Sequence, residues 1–190
     1  MKTIVALFDH YDEADEAVQA LYDYGVDSNR ISIVTRENDT IRRGTSAGPA
    51  AATGATAGGL VGLIAGISAV LIPGVGPVIA TGTIAGALAT TLGMTAVGAG
   101  VGAATGGLLG VLVDLGYPKK DAEFYAEGVK RGGVLVSVQT DETQPHEQIN
   151  DILRDAGAVD IDTRRQAWQT EGWTNFDETE QSGEENYRRL

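Results

Sequence analysis

The sequence predicts an α+β fold: a ferredoxin-like sandwich of two βαβ halves, split by an inserted glycine-zipper helical hairpin. Three observations carry this expectation. Near the N-terminus, two apolar runs of strand length, Ile4–Phe8 and Ile31–Thr35, flank an amphipathic helical stripe. Near the C-terminus the same order returns, as Val134–Val138, a stripe from Ile149 to Ala156, and Val159–Thr163. Between them lie 70 residues, Gly44 to Val113, with no Asp, Glu, Lys, Arg or His and no aromatic side chain. The expected organisation is residues 1–43 as the first half of the α/β domain, 44–115 as the glycine-zipper hairpin, 116–165 as an extra helix plus the second half, and 166–190 as an acidic tail carrying aromatics.

The first strand is read from Ile4–Phe8, a continuous run rich in β formers. Asp12 is a suitable helix N-cap, and Glu13 and Asp15 put negative charge where the helix dipole favours it. Ala14, Ala17, Val18 and Leu21 then recur on one helical face, and Gly25 ends the helix by taking the left-handed conformation. Ile31–Thr35 follows as the second strand.

The central stretch holds 18 of the 26 glycines, and two runs repeat every fourth residue. The first is Gly54, Gly58, Gly62 and Gly66; the second is Gly98, Gly102, Gly106 and Gly110. Residues four apart share a helix face, so each run predicts a groove in which another helix packs, or oligomerises, at backbone distance. Pro73, Gly74, Gly76 and Pro77 form the expected turn between the two helical arms. The second arm is readable as one helix from about Val78 to Val113, or as two broken near Thr90–Gly93. A glycine costs roughly 1 kcal/mol against alanine inside a helix. Unpaired arms therefore should not persist in water.

Two destinations fit. The length far exceeds one membrane span of about 20 residues, and Arg42, Arg43, Lys119 and Lys120 flank the stretch as in a hairpin with both ends on the cytoplasmic side. Against this, hydrophobicity is modest, and among aromatics only Tyr117 lies near enough to form a belt. The alternative is a soluble cytoplasmic assembly (ring, shell or filament) packed through the arms. Both make a homo-oligomer, with the membrane as a partner in the first.

Beyond the stretch, Pro118 suits a first helical turn, and Ala122, Tyr125, Ala126 and Val129 form the next stripe before Gly132 and Gly133. Val134–Val138, the helix ending at Gly157, and a short last strand Val159–Thr163 complete the second half. After Arg165 the chain turns polar and acidic, a composition that favours disorder, yet it carries Trp168, Trp173 and Phe176. These aromatics are either tail anchors in a groove of a neighbouring subunit or cover for their own domain.

Chemistry is sparse. The net charge of −12 argues against nucleic acid, whose binding rests on Lys and Arg. There is no Cys, so thiolate chemistry is excluded. Asp9 and His10 at a strand end, and His146 beside Glu147, lack the converging set a metal needs. Gly98–Ala103 looks like a phosphate loop but lacks the following Lys–Ser/Thr and a preceding strand. The reading is non-enzymatic, with no cofactor, no metal and no small-molecule substrate identified. The apolar N-terminal run is too short for a signal-peptide core, so residence on the cytoplasmic side is expected.

Thr3–Phe8, then Ala14–Gly25, then Ile31–Thr35 resemble the N-terminal domain of bacterial general-stress and heat- or low-temperature-induced proteins. Gly116–Pro118 through Tyr125–Val129 to Gly133–Val138 looks like the part that follows the glycine zipper in that family. The resemblance spans about residues 3–165. It implies a stress-response role and carries over no catalytic residue.

Overall fold

The computed structural model describes residues 2–36, 69–72, 74–91, 107–140 and 145–177. In chain order these form β1 (Lys2–Phe8), α1 (Tyr11–Asp23), a 3-10 turn (Ser28–Arg30), β2 (Ile31–Arg36), β3 (Ala69–Ile72) and β4 (Gly76–Ala80). Then come α2 (Gly82–Thr91), α3 (Gly107–Asp114), α4 (Lys119–Lys130), β5 (Val134–Thr140), α5 (His146–Asp155) and α6 (Ile161–Thr170). The strands make one antiparallel sheet in the order β1-β5-β2-β4-β3.

The α+β class is as expected; the architecture differs from it. Side chains alternate across a strand, and here both faces are covered. Ile4, Ala6, Phe8, Ile31, Ile33 and Val136 pack under α1 and α5. Val5, Leu7, Val34, Val78 and Leu135 face the opposite layer, which α2, α3, α4 and α6 share. The sheet therefore has five strands and two helical layers, where the four strands of two βαβ halves were expected. Double burial also explains why β1 reads as a continuous apolar run, and why Ser32, Thr35 and Ser137 are buried along with the apolar residues of β2 and β5.

The largest correction lies in the uncharged stretch. Gly74, Gly76 and Pro77 sit in a β-hairpin between β3 and β4, not between helical arms. Gly74 takes φ 76° in a turn closed by the Val75 N–H on the Ile72 carbonyl at 3.1 Å. Flanked by short apolar β-branched runs, Pro–Gly turns strand into strand as readily as helix into helix. A single second-arm helix from Val78 is thereby excluded, because Val78 and Ile79 pair with β2 and β3.

The expected last strand, Val159–Thr163, is replaced as well. The Val159 N–H donates to the Leu7 carbonyl at 2.7 Å, and the chain then turns into a helix. Asp160 causes the turn, its carboxylate accepting the Thr163 N–H at 2.8 Å as the N-cap of α6. The boundary drawn at 165 thus falls inside a helix, and residues 166–177 belong to the folded domain. At α1 the cap is His10 rather than Asp12, with the Glu13 carboxylate accepting the His10 N–H at 3.3 Å.

The close approach found among the described residues is between helix and sheet. A Cβ on Gly128 of α4 would collide with the Leu7 methyl groups, and one on Gly133 would stand 3.0 Å from the Phe8 carbonyl oxygen. These two glycines let α4 lie against β1.

Candidate functional site

Three polar arrangements stand out, and each is built by elements distant in the chain. The first is a cavity of about 320 Å³ where β1 and β2 end and β5 begins. Asp9, His10, Tyr11, Arg36, Arg131, Gly132 and Val134 line it. Asp9 and Arg131 on its wall are each ion-paired. Asp9 forms a two-pronged ion pair with Arg164 of α6, one contact at 2.7 Å. The hydrogen bond from Arg164 holds the Asp9 carboxyl below the usual range. Arg36 donates to the Lys130 carbonyl at 3.3 Å, at the end of α4 where the helix dipole favours a cation. Arg131 pairs with Glu127 at 2.7 Å and Glu171 at 3.1 Å.

Asp9 and His10, the pair with the strongest catalytic look, therefore do structural work. His10 caps α1 and Asp9 ties β1 to α6. No group of three or more His, Asp or Glu that could hold a metal occurs among the described residues. His146 opens α5 with a buried Nε2 and joins no such cluster.

The second arrangement guards an edge of the sheet. β1 is an outer strand, and the carbonyls of its alternate residues Thr3, Val5 and Leu7 each accept a bond from outside the sheet. Tyr117 donates to Thr3 at 2.7 Å, Tyr125 to Val5 at 2.9 Å, and Val159 to Leu7. Burial raises both phenols, Tyr117 to about 12 and Tyr125 further. Because the folded values lie above the unfolded value near 10, this stabilisation is complete below pH 10. It is lost as pH rises from there through about 12. Tyr125→Phe, which leaves the buried Val5 carbonyl short of a donor, is expected to cost about 1–2 kcal/mol at pH 7. Urea midpoints between pH 8 and 11.5 should also fall less steeply in that variant than in the parent; equal slopes would disconnect Tyr125 from the alkaline transition.

The third arrangement is an aromatic and cationic stack joining α4 to α6. Phe124 stacks on Trp168 with centroids 4.8 Å apart, and Trp168 meets Trp173 edge-on at 5.7 Å. Arg131 lies 4.6 Å over Trp168, Lys130 5.8 Å from Phe176, and Arg165 5.5 Å from Phe124. Arg165 is buried and bonds Asp121 at 2.6 Å. Trp168 and Phe176 are buried in the chain's own core and Trp173 packs against it, so these aromatics cover their own domain.

Of the proposed packing glycines, Gly110 lies half-buried in α3. Gly54, Gly58, Gly62, Gly66, Gly98, Gly102 and Gly106 lie outside the described residues, as does Pro73. Among the described residues no helix is long and apolar enough to cross a membrane. Sequence reasoning missed Arg36, Arg131 and Arg164. The Glu127–Arg131 pair had a legible signal, its i,i+4 spacing; the long-range contacts had none.

These features define a small α+β protein in which the polar groups of the three arrangements tie distant elements together. Residues 3–70, just over a third of the chain, match the family described as the heat induced stress protein YflT domain. The likeness to bacterial heat- and general-stress proteins read from β1, α1 and β2 is thereby shown over that part. The family is not known as one of enzymes. No curated protein and no solved structure matches the chain.

Proposed function

We propose that the chain is a non-enzymatic stress-response protein of the cytoplasmic side that acts as a homo-oligomer, its glycine-rich segments packing between copies. The observation that carries this reading is where those segments are tied down. β2 ends with Arg36 opposite Val78, and β3 begins with Ala69 opposite Ile79. Two strand spacings, about 10 Å, separate the two points. The segment between them leaves and rejoins one sheet. The second glycine segment runs from α2 to α3, which pack on each other.

Each run is thus tethered at both ends to the same domain. A two-arm hairpin crossing a bilayer would need its Pro–Gly turn on the far side, and that turn belongs to the sheet. Length points the same way. Two spans require about 40 residues; 37–68 and 92–106 are each shorter. Glycine rows favour contact at backbone distance, and self-packing satisfies that without lipid. The match to a heat-induced stress family supports the cellular role.

Light scattering after size exclusion, with and without detergent, tests this. A discrete oligomer in detergent-free buffer is expected, lost in a Gly58→Leu/Gly102→Leu double variant. Monomer throughout, or recovery from cells only with detergent, would overturn the reading, the latter in favour of membrane insertion.

A further inference from the structure

The two outer strands of the sheet are treated very differently. β1 has three outward carbonyls capped by Tyr117, Tyr125 and Val159. β3, at the opposite edge, has no such cover among the described residues. An unpaired edge is a template for another strand, and proteins commonly blunt it with charge, proline or a covering element.

The register shows which backbone groups face outward. The Thr81 N–H donates to the Ile33 carbonyl at 2.9 Å, so the odd-numbered residues at β4 turn toward β2. The even ones, Gly76 and Val78, then turn toward β3, where they stand opposite Ile72 and Val70. Ala69 and Leu71 are left presenting their N–H and C=O groups outward, and no partner for them occurs among the described residues. The Leu71 side chain is 71% exposed, on the sheet face away from buried Ile72 and Val78. Half-buried Pro77 and Ile79 share that face.

We propose that this edge pairs with the same edge of a second copy, β3 against β3, making one continuous antiparallel sheet across a two-fold axis. Charge selects the occupant. The molecule carries −12, so copies repel over most of their surface, whereas Gly44–Val113, which contains β3 and β4, carries no charge at all. Two such molecules approach with least repulsion here. An acidic or basic partner would find nothing to pair with. In the symmetric pair Leu71 of each copy lies opposite Ala69 of the other, and the Leu71, Pro77 and Ile79 side chains form one apolar strip. Because β3 spans only Ala69–Ile72, the strand sets register, and the apolar strip supplies area.

This inference rests on self-association but not on the glycine rows, and the test separates the two. Light scattering on the full chain from about 1 to 500 µM covers the range of a weak to moderate dimer. Leu71→Lys is expected to weaken association at least about tenfold, close to 1.4 kcal/mol, with a thermal midpoint unchanged at concentrations where the parent is itself monomeric, because the side chain is exposed. Leu71→Pro, which removes an outward N–H while sparing bonds to β4, should do the same. Raising salt should strengthen the parent dimer by screening the repulsion between copies. Association of both Leu71 variants at the parent's strength would overturn the β3 pairing. If the Gly58→Leu/Gly102→Leu variant alone dissociates, the glycine reading stands and this one falls; if only the Leu71 variants dissociate, the reverse holds. A parent that stays monomeric to the highest concentration removes both.

Discussion

Replacing Arg131 with alanine is expected to destabilise the fold by about 1–3 kcal/mol, the cost of leaving a largely buried group without its partner. Glu127, on α4, has only 8% of its side chain exposed, and Arg131 Nε holds it at 2.7 Å. The same guanidinium reaches Glu171 beyond α6 and lies over the Trp168 ring, so its loss also loosens α6 from α4. The cost should come mostly from Glu127 rather than from lost attraction, because Glu171 is exposed enough to rehydrate. Arg131→Ala combined with Glu127→Leu should therefore recover much of the stability in urea unfolding. A double variant no more stable than Arg131→Ala would show that stacking on Trp168, not the buried carboxylate, dominates.

Gly82→Ala is expected to cost about 2–4 kcal/mol, from left-handed strain plus overpacking. Gly82 opens α2 with φ 64°, a conformation L side chains rarely adopt. An added Cβ would stand 2.5 Å from Ser32 Oγ and 2.6 Å from the Ile31 carbonyl oxygen, and the latter is backbone that cannot swing away. The clash falls on the joint between α2 and the sheet. There Ser32 Oγ accepts the Thr83 N–H at 2.9 Å, so a β2 side chain caps the helix, and Thr81 Oγ1 accepts the Ile33 N–H at 3.0 Å. Urea unfolding measures the loss, and hydrogen exchange should show α2 opening before β1 and β5. A loss below about 0.5 kcal/mol would mean that the joint relaxes and that Gly82 is not a fixed point.

Much of the fold was legible in order along the chain. The stripe Ala14, Ala17, Val18 and Leu21 does lie buried on α1, and Gly25 ends that helix at φ 96°. Gly157 does the same after α5 at φ 98°. Such signals are local: a cap, a period and a stop lie within a few residues of one another and need no tertiary partner. The candidate site was less legible. Asp9 and His10 were visible as residues, but the salt bridge from Asp9 to Arg164 spans 155 positions.

What the sequence determined alone, then, are the helices with distinct polar and apolar faces, the long apolar strands, and the separation of charge from the glycine-rich centre. Tertiary structure decided the uncharged runs. Ala69–Ile72 and Gly76–Ala80 carry no alternation of polar and apolar residues, and a short apolar run does not declare its period. Val78–Ala80 became strand because Val34–Arg36 offered a free edge on which to pair. Val159–Thr163 failed to become one because the Asp160 carboxylate satisfied a helix N-terminus first. In both places the backbone hydrogen bonds had more than one possible destination, and the surrounding fold supplied the partner that won.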